Sequence, residues 1–473
     1  MPLTPADKDI KDINIKTKDQ DRYTPSEKKE LNRKIARIAL PIALQGVISA
    51  TLSMIDTLMV GMLGEKELAA VGVGQQLTFI HYMLLFGFTS GCATFMAQFN
   101  GTKDYANIRK VVGFAWTVLL CVGAIFFTVS NAFTDKILSF YTTDSEVLPQ
   151  ACVYLRTISI QYLTLAVSAP AEMAFKATQK TKLPMISNVA VFSTNTFFNY
   201  VLIFGKFGAP ALGVHGAALA TALSRIVQIS IDGFFLFSKH NTFRGTLASF
   251  FGWKRELCAR VVKNSIPTTA NELLWAAGQS MYAAAFNRIG TTDYAAYQAA
   301  NAIANILWFG AFSVGDATLI LIGEKLGQGE KDGAWKLSRH MLKIGWIVGF
   351  IAAGGLIAMA YPLAGVFNLT ELGTHYTFQL LIFLALTQPL GLYNGIIITG
   401  ILRGGGDTRF AAISETCCVW LIGVPMAFIA ATVWHLPIPF TFLLTKLEEL
   451  VKSFIMTWRW RSKKWINVVI HDL

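Results

Sequence analysis

The sequence predicts an all-α polytopic membrane protein with twelve transmembrane helices, arranged as two six-helix lobes related by an internal repeat. Three observations predict this class: few charged residues, basic residues concentrated in alternate loops, and two stretches that match without a gap. Of the 473 residues, 53% are hydrophobic and 15% are charged, whereas soluble proteins carry about 25% charged residues. Apolar runs such as 111–130 approach the roughly 20 residues that a helix needs to cross a bilayer.

Apolar length and chain-breaking residues predict the twelve spans in order. Their expected ranges are 36–62, 68–98, 110–132, 151–175, 185–207, 212–237, 261–287, 294–323, 341–364, 377–401, 410–434 and 437–458. Lys and Arg collect before the first span, in every second connection and in the terminal RWRSKKW stretch. The positive-inside rule therefore predicts a plasma (inner) membrane protein with both termini in the cytoplasm. This distribution accounts for the net charge of +12, so we expect no nucleic-acid partner.

The internal repeat aligns residues 41–104 with residues 267–330. The aligned landmarks are Pro41 with Pro267, Gly64 with Gly290, Phe86 with Phe312 and Gly101 with Gly327. The predicted units are a cytosolic arm (1–34), an N-terminal lobe (35–237), a basic cytosolic linker (238–260), a C-terminal lobe (261–460) and a cytosolic tail (461–473). Two parallel six-helix bundles with a cleft between them are typical of an alternating-access carrier that binds substrate near mid-membrane.

Four stretches resemble the multidrug and toxic compound extrusion (MATE) family: SMIDTLMVGMLGEKELAAVGVG (53–74), AQFNGTKD (97–104), 195–225 and GILRGGGDTR (400–409). The resemblance implies a 6+6 fold and the secondary-active export of organic, often cationic, compounds, driven by influx of H⁺ or Na⁺. We therefore expect small organic substrates, contact with membrane lipids, a monomer and no cofactor. An enzyme finds no support, because P-loop, HExxH, GxSxG and CxxC patterns are absent from the sequence.

Relatives of this family that flip lipid-linked oligosaccharides share its coarse architecture and provide the alternative function. A flippase of that kind needs several basic residues facing the cavity, to hold a pyrophosphate. Here Lys and Arg cluster in the predicted cytosolic loops, with Arg225 and Lys446 as the main intramembrane exceptions. This distribution favours the antiporter.

Carboxylates inside predicted spans are the candidate ion-coupling residues, because a charge at the bilayer centre costs at least about 2.5–3.5 kcal/mol. The candidates are Asp56, Glu272, Glu415 and Asp316. The resemblance implies that Asp56 is the coupling or protonation site of the N-terminal lobe. The alternative is an interfacial Asp near the outer end of the span, bonded to the backbone or to Thr57.

Two asparagines are expected to complete the site around Asp56. Asn195 and Asn199 lie one helical turn apart on the fifth span and so face the same way. Branches of the family carry Asp or Asn at the second position, and the amides here could ligate Na⁺ together with Asp56. The alternative is a pair of packing hydrogen bonds between helices.

The resemblance also implies a cation or ion site at Glu272 in the C-terminal lobe. Some sodium-coupled relatives pair this Glu with an Asp on the tenth span, where this chain has Leu392. Glu415 is therefore the expected second carboxylate. The alternative is a structural Glu272 held by Asn271 or by a neighbouring helix.

The remaining candidates are polar and aromatic. The expected cavity-lining side chains are Gln45, Tyr393, Asn394, Trp275, Tyr282 and Trp308. Aromatic rings attract organic cations, although they also fill cores and interfaces in membrane bundles. The charged residues of the twelfth span (Lys446, Glu448, Glu449 and Lys452) are spaced to neutralise one another on one helix.

Overall fold

The computed structural model describes residues 23–239, 241–366 and 369–471, with the side chains of 305–311 left aside. Within these ranges the chain forms twelve helical spans. They are α1 Pro25–Gly61, α2 Glu65–Gly101, α3 Tyr105–Ala132, α4 (Val147–Ile158 and Gln161–Ala177), α5 Lys182–Phe204, α6 Gly213–Phe237, α7 Arg255–Asn287, α8 Thr291–Gly327, α9 Lys331–Ala364, α10 Glu371–Leu402, α11 Thr408–Val433 and α12 (Ile438–Thr445 and Leu447–Arg461). Among the described residues, seven helices are long and apolar enough to cross a membrane by length and composition alone. The predicted all-α fold is confirmed.

Helix α1 begins inside the segment predicted as a cytosolic arm. The Thr24 hydroxyl accepts a hydrogen bond from the Glu27 backbone N–H at 3.3 Å, and the Glu27 carboxylate accepts one from the Thr24 N–H at 2.8 Å. Pro25 occupies the first helical position, where its missing N–H costs nothing. This capping box satisfies two N–H groups that a helix start leaves unpaired, so the helix starts well before the apolar run that predicted the span.

Repeat-related residues meet between the lobes. Gly101 packs on the backbone oxygen of Glu324, and its repeat mate Gly327 packs on that of Gln98, leaving no room for a side chain at either glycine. Phe86 faces its own mate Phe312, with ring centroids 6.1 Å apart. Reciprocal contacts of this kind are the mark of two-fold symmetry. The predicted repeat is confirmed, and its pseudo-two-fold axis passes between α2 and α8.

The cleft between the lobes is closed at the end of the bundle that carries residues 25 and 461, called the terminal end below. There Thr268 of α7 donates to the backbone oxygen of Gly87 at 2.7 Å, and Asn264 donates to that of Gly91 at 2.9 Å. An ion pair of 2.7 Å joins Lys34 to Glu324 across the lobes. Tyr82 and Phe79 lie one and two turns before Phe86 on the same face of α2, and they are 50% and 45% exposed. The lobes are therefore apart there, and the cleft opens away from the termini.

The segment after α12 packs across both lobes at the terminal end. Trp465 is fully buried, and the Asn467 N–H donates to the backbone oxygen of Gly405 at 3.2 Å. Gln98 of the N-terminal lobe donates to the Asn467 carbonyl at 3.0 Å and accepts from the Val469 N–H at 2.8 Å. The predicted C-terminal tail therefore includes an ordered strap over the closed end.

Candidate functional site

A chain of polar contacts in the N-terminal lobe brings together three residues that the sequence predicted. Asn199 of α5 donates a short hydrogen bond to the Asp56 carboxylate of α1 and a second one, of 2.8 Å, to the Asn195 side-chain oxygen. Asn195 donates in turn to the hydroxyl of Thr221 on α6 at 3.2 Å. The alternative contact of Asp56 with Thr57 does not form, because the Thr57 hydroxyl donates to the Ser53 carbonyl at 2.8 Å.

This N-terminal site has oxygen atoms available for an ion. Asn199 is 1% exposed, and its side-chain oxygen has no hydrogen-bond partner among the described residues. Asp56 supplies a carboxylate, and Thr221 supplies a hydroxyl. Oxygen donors of these kinds suit hard cations, and a carboxylate can equally take a proton. The residues present therefore fit either H⁺ or Na⁺.

The acid of the C-terminal lobe, Glu272, has a buried cationic partner. Arg403 donates to the Glu272 carboxylate at 2.7 Å and to the hydroxyl of Ser90 on α2 at 3.0 Å. The Arg403 side chain is 2% exposed, so its assignment to the basic cytosolic loops was wrong. The Gly404–Gly406 turn lies against Leu319 and Trp465, and the Arg403 carbonyl accepts from Thr94 at 2.8 Å. These contacts hold Arg403 inside the bundle.

The predicted second carboxylate, Glu415, lies beside Glu272. Asn271, the residue next to Glu272 on α7, donates to Glu415 at 2.8 Å, and Glu415 acts electrostatically on Glu272. Of the two partners in the alternative, Asn271 is wrong, because it holds Glu415. A partner from a neighbouring helix is present: Arg403, at the end of α10, holds Glu272.

Asp316 forms an ion pair between the lobes. Its carboxylate lies 3.8 Å from the ammonium of Lys176 on α4, and both side chains are less than one-fifth exposed. Lys176 was predicted as a loop charge, but α4 continues to Ala177 and carries the side chain into the cleft between the lobes. The predicted acid Asp316 is thus paired with Lys176, which the prediction had placed in a cytosolic loop outside the bundle.

Two residues predicted to line the cavity are instead bound to α12. The buried Tyr282 hydroxyl donates to Glu448 at 2.6 Å, and Asn394 donates to Glu449 at 2.6 Å. Lys452 pairs with Glu449 at 2.8 Å rather than with Glu448. The self-neutralising network predicted for α12 is therefore present in the Lys452–Glu449 pair, and Glu448 and Glu449 also engage Tyr282 and Asn394.

Three further candidates lie at other contacts. Tyr393 shares a 2.8 Å hydrogen bond with Thr457, and Trp275 packs on a C-lobe core cluster. Gln45 donates to Glu172 of α4 at 3.2 Å. The side chain of Trp308 lies outside the described residues.

Sequence reasoning missed two intramembrane acids, Glu172 and Asp232. Glu172 is bonded to Gln45 and to Gln228, and Asp232 of α6 is 3% exposed. Both stand inside predicted spans (151–175 and 212–237). The criterion that selected Asp56, a carboxyl within an apolar run, would have selected both.

A family model with the description MatE matches the chain twice, over residues 41–201 and 267–429. The two matches begin at the repeat mates Pro41 and Pro267, and together they cover more than half of the chain. The chain belongs to the MatE family. It is therefore a multi-pass membrane protein of a transporter family.

Curated relatives of this MatE protein match along nearly their whole length. An "Uncharacterized transporter YisQ" of Bacillus subtilis is 25% identical over 90% of this chain and 93% of its own. A "Probable multidrug resistance protein NorM" of Thermotoga maritima is 24% identical over 88% of this chain and 89% of its own. The same description is given to a Bacillus subtilis protein that is 26% identical over 85% of this chain and 89% of its own.

Solved structures show the same fold. An outward-facing multidrug resistance MATE family transporter of the MOP superfamily superposes with a TM-score of 0.83 at 18% identity, covering 91% of this chain and 96% of the other. The eukaryotic MATE transporter AtDTX14 gives a TM-score of 0.80 at 18% identity, over 93% and 97% of the two chains.

Proposed function

We propose that this MatE-family protein is a secondary-active multidrug antiporter. It exports organic, often cationic, compounds by alternating access, and influx of H⁺ or Na⁺ drives the export. The observation that supports this most directly is Asp56, a carboxylate within α1 whose described partner is the amide of Asn199. The printed names of the relatives, "Probable multidrug resistance protein", agree with such a role.

In this proposal Asp56 alternates between a charged and a neutralised state. When it is ionised, its charge draws the Asn199 amide and links α1 to α5. A bound H⁺ or Na⁺ neutralises the carboxylate, weakens its hold on the amide and lets the two helices repack. An ion can shift the equilibrium between two conformations only by its differential affinity for them, and this change of contacts would supply that difference.

Alternating access requires the terminal end to open. The Lys34–Glu324 ion pair and the close approach of α2 to α8 would separate, while the opposite end of the cleft would close. We place both termini in the cytoplasm of the plasma membrane, so the present conformation opens to the outside. An organic substrate would leave from this state, and the coupling ion would enter.

The flippase alternative gains two intramembrane cations, Lys176 and Arg403, but both already face carboxylates. Lys176 lies near Asp316 and Arg403 is bonded to Glu272. A pyrophosphate would have to displace those acids. The charge pairing therefore favours the antiporter.

The experiment is efflux of a fluorescent cationic dye from everted membrane vesicles under an imposed ion gradient. We expect Asp56→Asn and Glu272→Gln each to abolish ion-driven transport, the second because it also leaves Arg403 buried without its counter-charge. Asp144→Asn, at an exposed carboxylate in the connection before α4, is the matched control and should transport normally. Normal transport by both test variants would show that the coupling assignment is wrong.

A further inference from the structure

A second group of polar side chains lies in the N-terminal lobe, on the terminal side of Asp56. It contains Gln45 of α1, Glu172 of α4, Ser187 of α5, and Arg225, Gln228 and Asp232 of α6. Gln45 precedes Asp56 by eleven positions on α1, a separation of about 16 Å at the rise of an α-helix. The group is therefore distinct from the site formed by Asp56, Asn195 and Asn199.

Within this group, Glu172 is well satisfied. Its carboxylate accepts hydrogen bonds from the amides of Gln45, at 3.2 Å, and Gln228. Gln228 is itself held by Arg225, whose guanidinium donates to the Gln228 side-chain oxygen at 2.8 Å. Glu172 can thus carry a negative charge next to a cation and two amide donors.

Asp232 is in the opposite situation. It is 3% exposed, and neither of its carboxylate oxygens has a hydrogen-bond partner among the described residues. The hydroxyl of Ser187 is 0% exposed and close enough to influence Asp232 electrostatically. It too makes no hydrogen bond of ordinary geometry with any described residue. An ionised carboxylate without donors is very costly in such a place. A proton on Asp232 makes it a donor, and the Ser187 oxygen is an acceptor in need of one.

The charge balance of the lobe points the same way. Arg225 acts on three carboxyls, Asp56, Glu172 and Asp232. The next cation, Lys176, also faces Asp316 across the cleft. Other groups that face these residues from packed helices are uncharged: Tyr82 of α2, Gln45 of α1 and Ser187 of α5. Among the described groups embedded in this lobe, three carboxyls (Asp56, Glu172 and Asp232) face two cations (Arg225 and Lys176), and Lys176 is shared with Asp316. A proton on one carboxyl would correct this imbalance.

We propose that Asp232 and Glu172 form a second proton-binding site, the inner acid pair, in which Asp232 binds the proton and Glu172 keeps its charge near Lys176 and Arg225. Arg225 acts on this pair and on Asp56, so a change of charge at one site alters the field at the other. The site deepens the proposed function, because it would give the transporter a proton-binding step between Asp56 and the terminal end. Its existence does not depend on whether Asp56 binds H⁺ or Na⁺.

The test is infrared spectroscopy of the purified full-length protein, reading the C=O stretch of neutral carboxylic acids at fixed pH. We expect Asp232→Asn, which mimics the neutral acid in shape, to remove the band of one carboxyl group per protein. Asp144→Asn, at an exposed carboxylate, should leave the band unchanged. An unchanged band in Asp232→Asn overturns the proposal, and so does loss of the wild-type band on addition of Na⁺, since that would make the pair a cation site.

Ser187→Ala provides a second reading in case Asp232→Asn does not fold. Loss of the Ser187 hydroxyl, the acceptor for the Asp232 proton, should shift the Asp232 C=O band to higher frequency without removing it. An unshifted band contradicts a hydrogen bond from Asp232 to Ser187. Neither reading requires transport. A transport-inactive protein that retains the band refutes the antiport proposal alone, whereas an active antiporter without the band refutes the inner acid pair alone.

Discussion

The buried ion pair of Arg403 and Glu272 offers the sharpest test of the packing. The two side chains are 2% and 11% exposed and 2.7 Å apart, and Arg403 also binds Ser90 of the other lobe. Removing one partner of such a pair leaves a buried charge uncompensated, at a cost of about 3–5 kcal/mol. We therefore expect Arg403→Gln to lower the free energy of unfolding by about that amount, while Arg461→Gln, at an exposed cation that ends α12, changes it by less than about 0.5 kcal/mol.

The assay is denaturant unfolding in detergent micelles, completed as a double-mutant cycle with Glu272→Gln. The double variant has no buried charge at this position. We therefore expect its loss of unfolding free energy to be smaller than the sum of the two single-variant losses by at least about 1 kcal/mol. A wild-type stability for Arg403→Gln, or strictly additive losses in the cycle, would refute the reasoning. Either result would mean that Arg403 lies in a hydrated environment.

Three further predictions concern the coupling site and the closed end. Asn199→Ala removes the described donor that stabilises the ionised Asp56. Because a hydrogen bond to a charged group contributes about 1.5–3 kcal/mol, we expect Asp56 to bind a coupling proton more tightly, so that H⁺-driven dye efflux reaches half its maximum at a proton concentration roughly 10–100 times lower; unchanged proton dependence contradicts this. Gly327→Ala forces a methyl group onto the Gln98 backbone and should destabilise the closed terminal end by about 1–3 kcal/mol. The expected result is faster thiol labelling of the buried Cys258; labelling at the wild-type rate argues against the closure. Trp465→Ala empties a fully buried site under the strap and should cost about 3–5 kcal/mol of stability in thermal unfolding, and a wild-type midpoint would show that the strap is not packed.

The spans could be predicted closely because apolar length is a local property of the sequence. The predicted range 212–237, for example, became α6, Gly213–Phe237. The link from Asp56 to Asn195 and Asn199 was implied by the family resemblance. Helical spacing added that the two asparagines, one turn apart on one helix, face the same way. The predicted start of α1 at residue 36 was too late, because the first turns of the helix are polar and are stabilised by the Thr24–Glu27 capping box.

The roles of Arg403 and Lys176 could not be predicted from their positions in the chain. Both lie next to predicted turns, where a basic residue normally faces the cytosol. The partner of Arg403 is 131 positions away, and only the packing of the two lobes brings Arg403, Glu272 and Ser90 together. Glu172 and Asp232, by contrast, could have been predicted, because a carboxyl within an apolar run is itself the signal of an intramembrane acid.

The most direct measurement of the central claim is countertransport in proteoliposomes that contain the purified protein and a cationic dye. With an imposed H⁺ or Na⁺ gradient and no other energy source, we expect the dye to move against the ion flow. This movement should stop in Asp56→Asn and persist in Asp144→Asn. Dye movement that needs no ion gradient, or that follows the ion in the same direction, would contradict the account.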